Sequence, residues 1–119
     1  MSELSSRLQQ VIDSIREAEI KSGRAANSVS LVAVSKFHPA EAVLEAIRHG
    51  QLLFGENRVQ EAVEKFQQVR EQAPQAQLHI IGSLQRNKVK KALSCASCIQ
   101  SVDRIELLEE IEKQATNLN

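Results

Sequence analysis

The decapeptide SLVAVSKFHP, residues 30–39, decides how the rest of the chain is read. Leu31 to Val34 form an unbroken apolar run, Ser35 ends it, Lys36 follows, and Pro39 opens a helical pattern. A short apolar run leading into a helix reads as a covered strand of a parallel sheet. In such sheets chemistry gathers beyond the carboxyl ends of the strands, which is where Lys36 falls. A surface lysine with its stem lying along a strand end has the same local sequence. The other strand ends must therefore decide what Lys36 means.

Outward from this stretch, the same unit recurs. Strands are expected at about 30–35, 52–54, 78–81 and 98–102, and helices at about 40–49, 57–72, 85–93 and 104–116. Pro39 and Gly50 bracket the first of these helices in the usual asymmetry. Val59, Ala62, Val63, Phe66 and Val69 give the second its apolar stripe. Asp103 with Glu106 reads as a capping box for the last. A further helix precedes them all over residues 3–22, with Leu4, Leu8, Val11, Ile12, Ile15 and Ala18 on one stripe, Ser2 as cap and Gly23 as stop. Alternating strands and helices without a hairpin signal imply parallel pairing with right-handed crossovers. That leaves a small doubly wound sheet or four units of an eight-stranded barrel. No glycine-rich dinucleotide fingerprint follows the first strand, which removes the best support for the former.

Composition bounds the function. The 119 residues suit one domain, and 42% hydrophobic with 25% charged residues describes an ordinary globular chain. Fifteen basic and fifteen acidic residues cancel, which argues against nucleic acid as the main partner. The three aromatics are all Phe, too few for a base-stacking platform. No signal-peptide core opens the chain and no run reaches membrane-span length, so a cytoplasmic protein is expected. Cys95 and Cys98 have no second pair and no nearby His. They read as small hydrophobes and not as a metal or redox site.

Polar groups stand at every strand end: Ser35 and Lys36, then Gly55-Glu56-Asn57-Arg58, then Gly82 to Lys88 with His79 inside its strand, then Ser101 to Arg104. Asn57 and Asp103 can serve as helix caps, Arg86, Lys88, Lys90 and Lys91 as a solvated face, and His79 as a hydrogen-bonded core residue. No nucleophile elbow, paired carboxylates or metal cluster is present. A lysine kept dry at such a rim loses part of its preference for charge and condenses with an aldehyde as a Schiff base. The aldehyde is either pyridoxal phosphate or a sugar phosphate, and spacing does not separate the two.

Four strings carry a resemblance: AVSKFHP at 33–39, FGENRVQEA at 54–62, HIIGSLQRNK at 79–88 and QSVDR at 100–104. Together they resemble the pyridoxal-phosphate homeostasis proteins, a family related to the N-terminal barrel of alanine racemase. The resemblance implies a fold-type III barrel of (β/α)8 form with an extra N-terminal helix. It implies pyridoxal 5'-phosphate held as a Schiff base on Lys36, with Asn57 and His79 lining the cofactor. It further implies a carrier or regulator of the intracellular cofactor pool, without catalytic residues. Family members are about twice this length, as an eight-unit barrel demands. Residues 1–119 are therefore expected to be the N-terminal half of a cofactor-binding barrel domain, a half barrel of about four units. Its open sheet edges would be covered by a second copy. The rival expectations are a racemase-like or aldolase-like enzyme using Lys36, and a structural fragment that binds nothing.

Overall fold

The computed structural model describes residues 2–118. Helix α1 (Glu3–Lys21) starts where the Ser2 side chain accepts a hydrogen bond from the Ser5 amide at 3.1 Å. It ends before Gly23, whose positive φ of 73° suits the residue after a helix. Strand β1 (Ala33–Val34) follows, then α2 (Ala40–Arg48), β2 (Leu53–Glu56), α3 (Val59–Gln72) and β3 (Gln77–Ile80). A 3-10 turn, Arg86–Lys88, leads into α4 (Val89–Cys95), and β4 (Cys98–Ile99) and α5 (Ile105–Leu118) complete the described chain.

The strands pair in parallel in the order β1-β2-β3-β4, each beside its predecessor in sequence. A doubly wound sheet needs a reversal of strand order, and these four strands contain none. Helices pack in the same succession, α1 on α2, α2 on α3, α3 on α4 and α4 on α5. Register assigns the two faces of the sheet. Phe54 pairs with Leu78 and Glu56 with Ile80, and all four side chains are buried. They pack under Phe66 and Val69 of α3, Val89 and Ala92 of α4, and Val43 of α2. The opposite face carries Val34, Gly55, His79 and Cys98, and there Val34 is 50% exposed. One face is thus roofed by helices and the other is open. The radius of gyration, 15.8 Å, accordingly exceeds the roughly 13.5 Å expected of a closed domain this long.

Several expected elements change. The first strand is two residues long where 30–35 was expected, because β1 has a neighbour on one side only; the ladder still reaches Ser35, whose amide donates to the Gly55 carbonyl at 3.1 Å. The fourth strand shortens from 98–102 for the same reason, with one further bond from the Gln100 amide to the Ile80 carbonyl at 2.9 Å. The expected capping box gives way to an ion pair, the Asp103 carboxylate accepting from Arg104 Nη1 at 2.8 Å. Asn57 is not a helix cap, since α3 begins at Val59 with Arg58 in the cap position. In α1 the apolar stripe is only partly covered, with Leu4 and Val11 exposed, while Glu19 is buried. The Glu19 carboxylate accepts from Arg16 at 2.7 Å and from the amides of Asn27 and Val29 at 3.2 and 2.9 Å. It thereby pins the loop that brings the chain to β1.

Candidate functional site

Lys36 stands in a tight turn just beyond β1. The His38 amide donates to the Ser35 carbonyl at 3.1 Å, and Phe37 takes a positive φ of 67°. That region is costly for a bulky side chain and is held only where the surroundings over-determine it. The Phe37 ring is 75% exposed, so ring burial does not hold it there. Hydrogen bonds do. The Phe37 amide donates to Glu61 Oε1 at 3.0 Å. On the other side of Lys36, the Ser35 carbonyl accepts from Lys65 Nζ at 2.7 Å and the Ser35 hydroxyl donates to Glu56 Oε2.

These partners form one network beneath the rim. Lys65 Nζ lies 2.8 Å from Glu56 Oε2 and 3.2 Å from Glu61 Oε1, so its three protons meet three acceptors. The Glu56 side chain is fully buried and that of Lys65 is 7% exposed. Glu61 is held below the ordinary glutamate range, chiefly by the Phe37 amide and, despite opposing desolvation, by the Lys65 ammonium as well. Lys65 is not among the residues that sequence reading singles out. A signal was present, because Lys65 occupies the buried stripe with Ala62, Phe66 and Val69. A lysine at a core position four residues after a glutamate calls for a buried partner.

His79 lies on the same side of the sheet as Val34, and Asn57 stands in the bend after β2. His79 pairs in register with Gly55, one layer below the rim, and Asn57 follows Gly55 by two residues. His79 is half-buried, and its Nδ1 atom is buried without a hydrogen-bond partner. The expectation of a satisfied core histidine is therefore not met at Nδ1. Gly55, its neighbour in the register, is closely covered. A Cβ there would sit 2.9 Å from Ile81 Cδ1 and 3.0 Å from Val32 Cγ1, two side-chain ends that reach over the glycine. The next turn is locked to Asn57 by Gly82, where a Cβ would lie 2.8 Å from the Asn57 carbonyl oxygen. Ser101 Oγ donates to the Gly82 carbonyl at 2.5 Å, and Arg104 Nη2 to the Leu84 carbonyl at 2.8 Å. All four strand ends are thereby tied to their neighbours.

One expectation about Lys36 is corrected. Its residue is exposed, not kept dry, because the described residues place no element over the open face. Cys95 is buried and Cys98 half-buried, both as free thiols, and burial pushes the Cys95 thiol up. Among the described residues no cluster of His, Cys, Asp and Glu could hold a metal ion, and no helix is long and apolar enough to cross a membrane.

Fold and site define a singly wound parallel α/β protein with a lysine carried in a clamped turn at its rim. The chain is a relative of the pyridoxal phosphate homeostasis proteins. It is 38% identical over 116 residues to the one from Vibrio alginolyticus and 36% identical over 115 residues to the one from Escherichia coli K12, 96% of this chain in each case. It spans about half the length of these relatives, 50% and 49%. Among solved structures, an unknown protein from Bifidobacterium adolescentis superposes with a TM-score of 0.91 at 33% identity, over 98% of this chain and 51% of that one. PipY from Synechococcus elongatus PCC7942, solved with pyridoxal phosphate bound, superposes with a TM-score of 0.74 at 45% identity, over 87% of this chain and 48% of PipY. No protein-family model matches the chain.

Proposed function

We propose that this chain binds pyridoxal 5'-phosphate as a Schiff base on Lys36, and that it serves to hold the cofactor within the cytoplasmic pool without turning over a substrate. The observation that carries the reading is the lysine in its clamped turn at the carboxyl end of β1, in a chain 45% identical to a protein solved with this cofactor. The residues present fit the group. The unpaired Nδ1 of His79 is a buried polar atom in want of a partner. Lys36 is the attachment point, and Asn57 and His79 line the bound ring. When bound, the cofactor supplies an aldehyde, which condenses with a neutral amine and releases water.

On this reading residues 1–119 are one domain, four units of a (β/α)8 barrel. In barrels the phosphate site is commonly built after strands seven and eight. The exposure of Lys36 goes with weak, readily reversed binding. A second copy of the chain covers the outer edges of β1 and β4. The exposed side chains of Val34, Val102, Ile105 and Leu108 support that partner.

Titration with pyridoxal 5'-phosphate tests the reading. The folded chain gains visible absorption, and borohydride then fixes a single pyridoxyl group, which peptide mapping assigns to Lys36. Lys36→Ala loses it. A folded wild-type chain that gains no mass at Lys36 overturns the proposal.

A further inference from the structure

We infer that Lys65, Glu56 and Glu61 are positioning residues: they clamp the Ser35–His38 turn from beneath and thereby set where Lys36 presents its amine. The part that concerns cofactor attachment rests on the function proposed above; the clamp itself does not.

The argument begins with where the buried charges spend their hydrogen bonds. An apolar filling of the same volume is usually as stabilising as a buried ion pair, or more so. A Lys–Glu pair enclosed under a strand end therefore calls for a reason beyond stability. Here the bonds leaving the network go to the two residues that flank Lys36. Lys65 Nζ donates to the Ser35 carbonyl at 2.7 Å, Glu56 Oε2 accepts the Ser35 hydroxyl, and Glu61 Oε1 accepts the Phe37 amide at 3.0 Å. Lys65 ties the two carboxylates together at 2.8 and 3.2 Å. The turn is thus gripped on both sides of Lys36, while the Lys36 residue itself is exposed.

Backbone conformation points the same way. Phe37 keeps a φ of 67° although its ring is 75% exposed and is not packed into place. Left to itself, a phenylalanine would leave this region. The Glu61 carboxylate on the Phe37 amide is the contact that holds it. Glu61 and Lys65 both project from α3, and Glu56 ends β2. The lysine of the first strand is therefore aimed by the second strand and its helix. For a condensation in which an amine nitrogen must meet a carbonyl carbon, with the oxygen leaving as water, such placement governs the rate.

The test uses Glu61→Ala, on the partly exposed side of α3, because Lys65→Met leaves Glu56 buried without its partner and invites unfolding. Two readouts are taken at matched global stability. Without cofactor, hydrogen exchange at the Phe37 amide quickens about tenfold or more in Glu61→Ala and returns toward wild type in Glu61→Gln, which keeps the acceptor oxygen. With cofactor, the rate of borohydride-trapped attachment at Lys36 falls about tenfold in Glu61→Ala and recovers in Glu61→Gln. Exchange at Phe37 that does not change in Glu61→Ala overturns the clamp. Faster exchange with an unchanged attachment rate overturns its bearing on Lys36. A wild-type chain that traps no cofactor refutes the proposed function instead, and the exchange result then decides the clamp alone.

Discussion

Lys65 Nζ and Glu56 Oε2 meet at 2.8 Å inside the chain, a lysine from α3 and a glutamate from the end of β2. The second oxygen of Glu56 is buried without a partner, so the carboxylate depends heavily on Lys65. Lys65→Met is expected to lower stability by about 3–5 kcal/mol, since it leaves a buried charge uncompensated. Replacing both partners, Lys65→Met with Glu56→Leu, is expected to recover most of that loss. Urea denaturation of the two single variants and the double variant measures the coupling. A double variant as unstable as the sum of the singles would refute this account.

Gly82 gives the second rim contact its closeness. Its position lies so near Asn57 that a methyl group would overlap the Asn57 backbone at 2.8 to 2.9 Å. Backbone yields less readily than a side-chain end. Gly82→Ala is expected to cost about 1–3 kcal/mol and to displace Asn57. A Gly82→Ala chain with wild-type urea midpoint and unshifted Asn57 amide resonance would show that the close approach is not required.

Gly50 is a different case. A Cβ there meets nothing within 4 Å, but φ is +95°. Only backbone strain opposes a side chain, so Gly50→Ala is expected to cost about 1–2 kcal/mol with no change at the rim. Thermal unfolding checks the cost, and amide spectra of the rim residues check the locality.

Acid should weaken the fold in a defined way. Glu19 is held below the ordinary glutamate value, first by the Val29 amide and then, against desolvation, by Arg16 and the Asn27 amide. Glu61 is held low in the same sense, first by the Phe37 amide. A depressed carboxylate means that the unfolded chain takes up its proton first as pH falls. The stabilisation is therefore complete above the ordinary value near 4.5 and drains away as pH drops through the lower folded one. Urea midpoints should fall from about pH 5 downward, and Glu19→Gln should start lower and show a shallower slope. Equal slopes in wild type and Glu19→Gln would remove Glu19 from this account.

Much of the architecture was legible in the residues. The apolar run at Leu31–Val34, the Pro39 and Gly50 brackets and the stripe on Val59–Val69 were enough for parallel pairing with helical crossovers, because period and punctuation are local properties. Strand lengths were not legible, since β1 and β4 are shortened by having a partner on one side only. Nor was the fate of Asp103, which prefers the adjacent Arg104 guanidinium to a helix cap. Lys36 could be named from its place at a strand end, and Asn57 and His79 only through the family resemblance. Their surroundings could not: the unpaired Nδ1 of His79 and the exposure of Lys36 depend on what lies across the sheet.

The order of strands and helices, and the lysine at the end of the first strand, followed from the chain itself, since hydrophobic period and turn residues act over a few neighbours. Only the folded molecule decided that Lys65, thirty residues beyond Ser35, turns inward to hold the backbone beside Lys36. A buried charge must find its partners wherever the fold brings them, and no local pattern states where that is.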